Sequence, residues 1–226
     1  MGVGEATTLV GVINAIKIAD ISAYGFDLSW SRIDVANNWV AENNLAATLF
    51  VGDLFNIPLE DNSVDLVYTS HSLEPNGGEE EKAIKELLRI ARKAVVLVEP
   101  YYELATKKAQ ERMLEHGYVR GLKETAERLG VIISDARLLN VCDNPLNPSG
   151  VITLMKPVSP DKRDTLIRWQ DPLTGLPLNN RGDYFIADEV GIAYPVLQGI
   201  PCLRSEHAIV CSKLSYKNND NCQADF

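Results

Sequence analysis

Cysteine is scarce in this 226-residue chain: Cys142, Cys202, Cys211 and Cys222 are the four, and no two form the closely spaced pair of a zinc knuckle or dithiol redox site. They read as free thiols of a reducing cytosol. Basic residues are also few, with 22 Lys and Arg against 31 Asp and Glu and a formal charge of -9. Binding to a phosphate backbone needs clustered cations that displace counterions, so a nucleic-acid partner is disfavoured. No apolar run has the length of a membrane span, and the start lacks the basic-then-apolar order of a signal peptide. The expectation is a cytoplasmic protein with no membrane partner. Histidine is limited to His71, His116 and His207, which leaves few candidates for a general base.

The 46% of hydrophobic residues is enough for one main core with a small appendage. Short β-rich runs alternate with helix-period segments up to about residue 130, the pattern of a parallel sheet wrapped by helices. Strands are expected in YGFDLS from Tyr24, ATLFVGD from Ala47, VDLVYTS from Val64 and AVVLVEP from Ala94. Leu9, Val10, Ile13 and Ile16 form one apolar helical stripe, and Ile84, Leu87, Leu88 and Ala91 form another. The segment from Glu103 to Leu129 is long and helix-compatible. VIISDARLL and GVITLMKP then suggest an antiparallel pair closing one sheet edge. KPVSPDKRD reads as a linker, residues 165–215 as a β-rich module, and the polar residues 216–226 as a disordered tail.

Three features gather at the carboxyl edge of the expected sheet. Gly2 and Gly4 precede the first helical stripe, where backbone can approach a ligand and helix amides face it; a turn that needs positive φ explains them equally well. Asp27 ends a strand some twenty residues later, placed to accept from a ribose diol, or else to cap a helix starting near Trp30. Asp53 ends the next strand at the same edge. The first two features suit NAD and S-adenosylmethionine alike, and the third favours the latter.

The succession GVGEATTL, FDLS, GDLFNIPLEDNSVDLVYTSHSLE and AVVLVEPYYE resembles a class I S-adenosylmethionine-dependent methyltransferase of the small-molecule type, over roughly residues 2 to 157. The resemblance implies an α/β, Rossmann-like domain over residues 1–157. It places Gly2, Val3, Gly4 and Glu5 around the methionine portion, Asp27 and Leu28 at the ribose and adenine, and Asp53 and Leu54 at the adenine amino end. Thr69, Ser70 and His71 would border the methyl-transfer pocket, with His71 as the best-placed base for a hydroxyl acceptor. Tyr101 and Tyr102 are candidates for lining that pocket. Ala6 stands where many relatives have a third glycine, and EPNGG follows Leu73 in place of the commoner Glu-His. Only Met1 precedes the glycines, whereas the family has its first, central strand there. An open sheet without that strand is expected to leave ladder groups unpaired, and so to be unstable or to bind cofactor poorly.

The stretch DPLTGLPLNNRGDYFIADEVGIAYPVLQGIPCL is similar to the zinc-ribbon-like activator of tRNA and release-factor methyltransferases. Asp171 and Thr174 stand where those relatives have knuckle cysteines, so no metal is expected. Tyr194, Pro195, Gly199, Ile200 and Pro201 then read as turn and core residues of a module that forms a substrate wall or a homo-oligomer contact. The resulting expectation is a methyltransferase for a small-molecule acceptor such as a sugar or other metabolite. A tRNA or protein methyltransferase and a non-catalytic interaction module are the alternatives.

Overall fold

The computed structural model describes residues 1–16, 18, 20–141, 144–157 and 167–211. The expected tail and most of the expected linker lie outside the described residues. Helix α1 (Thr7–Ala15) buries Leu9 and Val10 and leads to β1 (Tyr24–Asp27). In α2 (Trp30–Glu42) the Ser29 hydroxyl caps the first turn by accepting from the Arg32 amide at 3.4 Å. Its Ile33, Ala36 and Val40 recur at helical spacing and are buried, which fixes the face that packs inward. Strands β2 (Thr48–Val51) and β3 (Val64–Ser70) follow, then α3 (Glu80–Ile90) and β4 (Ala91–Pro100). Strand β4 starts three residues earlier than the apolar run suggests, so Ala91 belongs to it and not to the helix.

The segment from Glu103 to Leu129 is not one helix. It is a 3-10 turn at Tyr102–Leu104, then α4 (Lys107–Glu115) and α5 (Leu122–Arg128). Gly117 and Gly121 both sit at positive φ, and the left-handed backbone there ends one helix and starts the other. Strands β5 (Ile132–Leu138) and β6 (Ser149–Met155) form the antiparallel pair that the sequence suggests.

Among the described residues the sheet has two parts. Strand β1 pairs in parallel with β2, and β3 pairs in parallel with β4; antiparallel β6 and then β5 complete the second part. This is the mixed α/β, Rossmann-like architecture expected, with β1 and β3 each left with one partner.

Residues 169–210 form a curled sheet of β7 (Trp169–Gln170), β8 (Pro177–Asn180), β9 (Tyr184–Ala187), β10 (Ile192–Leu197), β11 (Ile200–Pro201) and β12 (Ile209–Val210). This module shares its core with the rest of the chain. Trp169 meets the Phe50 ring at 5.1 Å and the Phe185 ring at 5.2 Å, both edge to face, so one aromatic cluster joins β2 to β9. The module also lies along the outer edge of β2, where Val51 bridges in parallel to Cys202 and the Leu203 amide donates to the Val51 carbonyl at 2.8 Å. Arg89 ties the same parts together, donating to the carbonyls of Ile57 and Leu59 and to Gln170. At the module's opening turn, buried Asp171 accepts from the Tyr194 hydroxyl at 2.6 Å, the Thr174 hydroxyl at 2.5 Å and the Leu173 amide at 3.1 Å. Hydrogen bonds thus close this turn, and burial pushes the Tyr194 hydroxyl far above its ordinary pKa.

Candidate active site

The glycine loop leads from the sheet into α1. A side chain at Gly2 would put its Cβ 2.3 Å from the Ser72 Cβ, and the φ there is 59°, so both space and backbone demand glycine. Gly4 also has a positive φ, 53°, but nothing stands within 4 Å of where its Cβ would be. The first glycine is therefore a packing requirement, while open space lies beside the second. Ala6 adopts a positive φ of 61° and is fully buried, so its methyl group supports the turn from inside.

Asp27 joins this loop to β1. Its Oδ2 accepts from the Gly4 amide at 3.0 Å and its Oδ1 from the Ser29 amide at 3.0 Å. It does not cap α2, because Ser29 does. A carboxylate has about four acceptor sites, so two backbone bonds leave capacity for a diol. Leu28 is 55% exposed beside it, an apolar surface at the rim. Asp53 lies two residues beyond the end of β2 and accepts from the Phe55 amide at 2.9 Å. The Gly52 amide donates to the Asp27 carbonyl at 3.0 Å, which locks the ends of β1 and β2 side by side. Leu54 is buried in the core, so its backbone, not its side chain, is what it can offer a ligand. Val3 donates its amide to Phe26 at 2.9 Å, and Glu5 is exposed.

At the end of β3, Thr69 is fully buried, Ser70 half-buried and His71 partly exposed. His71 holds a φ of 50°, costly for a residue with a Cβ. Its Nδ1 lies 2.6 Å from Glu74 Oε2 and its Nε2 2.7 Å from Ser149 Oγ. Behind it, buried Glu99 accepts three backbone amides: Ser72 at 3.1 Å and Leu73 at 3.2 Å on Oε1, and Glu74 at 3.1 Å on Oε2. Burial raises the Glu99 pKa, opposed in part by the Leu73 and Ser72 amides. The loop that carries His71 is thus clamped from below by one carboxylate. Tyr101 is buried with its ring against Gly150, and only Tyr102 of the tyrosine pair remains partly exposed. His116 is an exposed residue near the Tyr118 ring.

Glu74, Glu99 and Ser149 are the functional candidates that sequence reasoning missed. Ser149 is 78 positions from His71, and only the antiparallel return of β6 beside β4 brings it near.

Residues 1–98 match a family model described as a methyltransferase domain. This segment is similar to methyltransferase domains. No curated protein matches the chain. Among solved structures, a methyltransferase from Methanosarcina mazei is similar at 18% identity and TM-score 0.57, over 70% of this chain and 91% of that one. A complex of the Haloferax volcanii Trm112 methyltransferase activator with a methyltransferase gives 14% identity and TM-score 0.55, over 71% and 82%. The cyclase SpnF gives 19% identity and TM-score 0.55, over 70% and 73%. At these identities the likenesses establish the fold, and the same fold evidently serves more than one chemistry.

S-adenosylmethionine is the cofactor that a methyltransferase domain of this fold implies, and the residues present suit it. Gly4 leaves open space over its backbone, Asp27 has spare acceptor capacity, and Leu28 offers apolar surface at the same edge. Among the described residues no helix is long and apolar enough to cross a membrane.

Proposed function

We propose that the chain methylates a small, hydroxyl-bearing metabolite, with His71 as the general base. The observation that carries this reading is the pair of short contacts on the His71 ring. Glu74 is placed to accept from Nδ1–H, which leaves the Nε2 lone pair free to accept a proton. The Ser149 hydroxyl occupies that position, marking where an acceptor hydroxyl can donate. As the acceptor oxygen loses its proton to Nε2, the imidazolium that forms is stabilised by Glu74. Asn147 donates to the other Glu74 oxygen at 3.2 Å and holds that carboxylate in place.

S-adenosylmethionine, when bound, supplies an electrophilic methyl group on a sulfonium. In this reading Gly2, Val3, Gly4 and Glu5 hold its methionine portion, Asp27 and Leu28 its ribose and adenine face, and Asp53 and the Leu54 backbone its adenine amino end. Thr69 and Ser70 border the reacting centre. Catalysis then rests mainly on aligning the acceptor oxygen, as in-line displacement requires.

The test is methyl transfer from labelled cofactor to a panel of sugars and other hydroxyl metabolites. His71→Asn is expected to lower turnover by about 10²- to 10⁴-fold without weakening cofactor binding, and Glu74→Gln to lower it less. Turnover of His71→Asn equal to that of the parent protein would exclude the proposed base.

A second reading, methyl transfer to tRNA or protein, draws support from the module seated along β2 and its resemblance to an activator. The charge of -9 weighs against RNA. The module's β11 end is already committed to β2, so a homo-oligomer contact falls to β12, where Ile209 and Val210 are exposed.

A further inference from the structure

Three side chains at the carboxyl edge of the sheet form one run of short contacts: Glu74 Oε2 lies 2.6 Å from His71 Nδ1, and His71 Nε2 lies 2.7 Å from Ser149 Oγ. A hydroxyl, a base within its hydrogen-bond reach and a carboxylate that orients the base are the parts of an activated oxygen nucleophile. Such a set is recognised by geometry and roles, not by order in the sequence. The Glu74 side chain is 15% exposed and the His71 side chain 37%, and Ser149 is half-buried. The carboxylate is therefore the inner member, while the imidazole and the serine reach the surface.

Each member is held by contacts outside the set. The second Glu74 oxygen accepts from Asn147 at 3.2 Å, and the Glu74 backbone bonds Glu99 through its amide and the Val119 amide through its carbonyl. The His71 amide donates to the Val98 carbonyl at 2.9 Å, and its φ of 50° is a cost that persists only where the surroundings impose it. Ser149 opens β6 opposite Pro100, at the end of β4. Its carbonyl accepts from the Leu139 amide at 2.9 Å, and the Pro148 carbonyl before it accepts from the Tyr101 amide at 2.9 Å. A Cβ added to Gly150 would stand 2.2 Å from Tyr101 Cδ1 and 2.9 Å from the Arg137 carbonyl oxygen, so only glycine follows the serine with β6 this close. Strand register thus sets the hydroxyl beside the base.

We infer that Ser149 is a nucleophile that takes an acyl group from a carboxylic ester, with His71 as its base and Glu74 as the positioning residue. The Ser149 oxygen attacks the ester carbonyl carbon as its proton passes to His71 Nε2. The new bond from carbon to the Ser149 oxygen forms, the bond from carbon to the ester's alcohol oxygen breaks, and the alcohol leaves with that proton. Water then gives a proton to Nε2 and attacks the acyl carbon; the acid departs and the proton returns to the Ser149 oxygen. Glu74 accepts from Nδ1–H and stabilises the imidazolium in both halves. A neutral ester suits the site better than a phosphate ester, because the chain carries a formal charge of -9 and Glu74 adds negative charge beside the ring. This activity goes beyond the methyl-transfer reading, sharing its imidazole but needing neither its cofactor nor its acceptor.

The probe is a biotinylated fluorophosphonate, from which an activated serine oxygen displaces fluoride at phosphorus; hydrolysis of p-nitrophenyl acetate is followed beside it, with no cofactor added. The folded parent protein should be labelled at Ser149, located by peptide mass spectrometry, and the urea-unfolded protein should not. Ser149→Ala should remove the label. His71→Asn, a residue that tolerates the positive φ, should slow labelling by about 10²-fold or more. Glu74→Gln, which keeps an acceptor oxygen for Nδ1–H, should slow it by about tenfold and lower kcat for the ester at unchanged KM. No label on the folded parent, label on another residue, or equal labelling of His71→Asn would overturn the nucleophile. An unlabelled parent whose methyl transfer is still lost in His71→Asn would sink the serine and leave the base; His71-dependent labelling with methyl transfer intact in His71→Asn would do the reverse.

Discussion

In protein whose chain starts at Met1, acidification should weaken the fold through the Met1 ammonium, in addition to its other titrating groups. It is buried where residues 1–3 bridge β1 and β3, and burial lowers its pKa from 8.0 to about 6 against the opposing pull of Glu99 and Asp27. The unfolded chain therefore holds a proton between those values that the folded chain does not. Stability attributable to this group is complete above pH 8.0, falls as the pH drops toward about 6, and is lost below that. A fall from 8.0 to about 6 corresponds to about 3 kcal/mol. For a chain of this size that is roughly 6–12 °C in Tm. The assay is thermal or urea unfolding at pH 8.5 and pH 5.5, on the free-amine protein and on protein acetylated at its N-terminus. Histidines and carboxylates titrate in both, so the difference between the two forms isolates the amine. The free-amine form should lose about 3 kcal/mol more than the acetylated form on acidification. An equal pH response in both, or a larger loss in the acetylated form, would refute the burial argument.

Two further predictions concern buried carboxylates. Glu99→Ala leaves the amides of Ser72, Leu73 and Glu74 without their acceptor, and should cost roughly 3–6 kcal/mol in urea unfolding. Glu99→Gln keeps an oxygen for two of them and should cost less; a loss below about 1 kcal/mol for the alanine variant would contradict the clamp. Tyr194→Phe strips buried Asp171 of its 2.6 Å hydroxyl donor and should cost about 1–3 kcal/mol, whereas an unchanged urea midpoint would show that Thr174 and Leu173 suffice.

The parts of the fold legible in the sequence were those written in local pattern. Apolar periodicity located the four strands from Tyr24 to Pro100 and both early helices, because each buries one face against a neighbour close in the chain. The glycine loop, Asp27 and Asp53 were legible as a group for a topological reason: parallel strands bring their carboxyl ends to one edge whatever fills the loops. The contact of Asp27 with Gly4 follows from that arrangement. Glu99 was not legible, since a glutamate at a strand end looks like a surface residue until its three amide donors are seen. Ser149 was hidden by its separation in the chain from His71. The break between α4 and α5 was written in Gly117 and Gly121, but charge and helix propensity on either side outweighed two glycines in a sequence reading. Arg89 resembled one more charge on a solvated helix face, yet its guanidinium joins three segments of chain.

The proposed nucleoside seat of Asp27, Asp53 and the Gly4 backbone is most directly tested by calorimetric titration with S-adenosylmethionine. The affinity of the parent protein is the reference. Asp27→Ala and Asp53→Ala should each bind it about 10- to 100-fold more weakly, as expected for loss of hydrogen bonds to a charged acceptor. Undiminished affinity in both variants, with their folds intact by circular dichroism, would place the cofactor elsewhere and contradict the account.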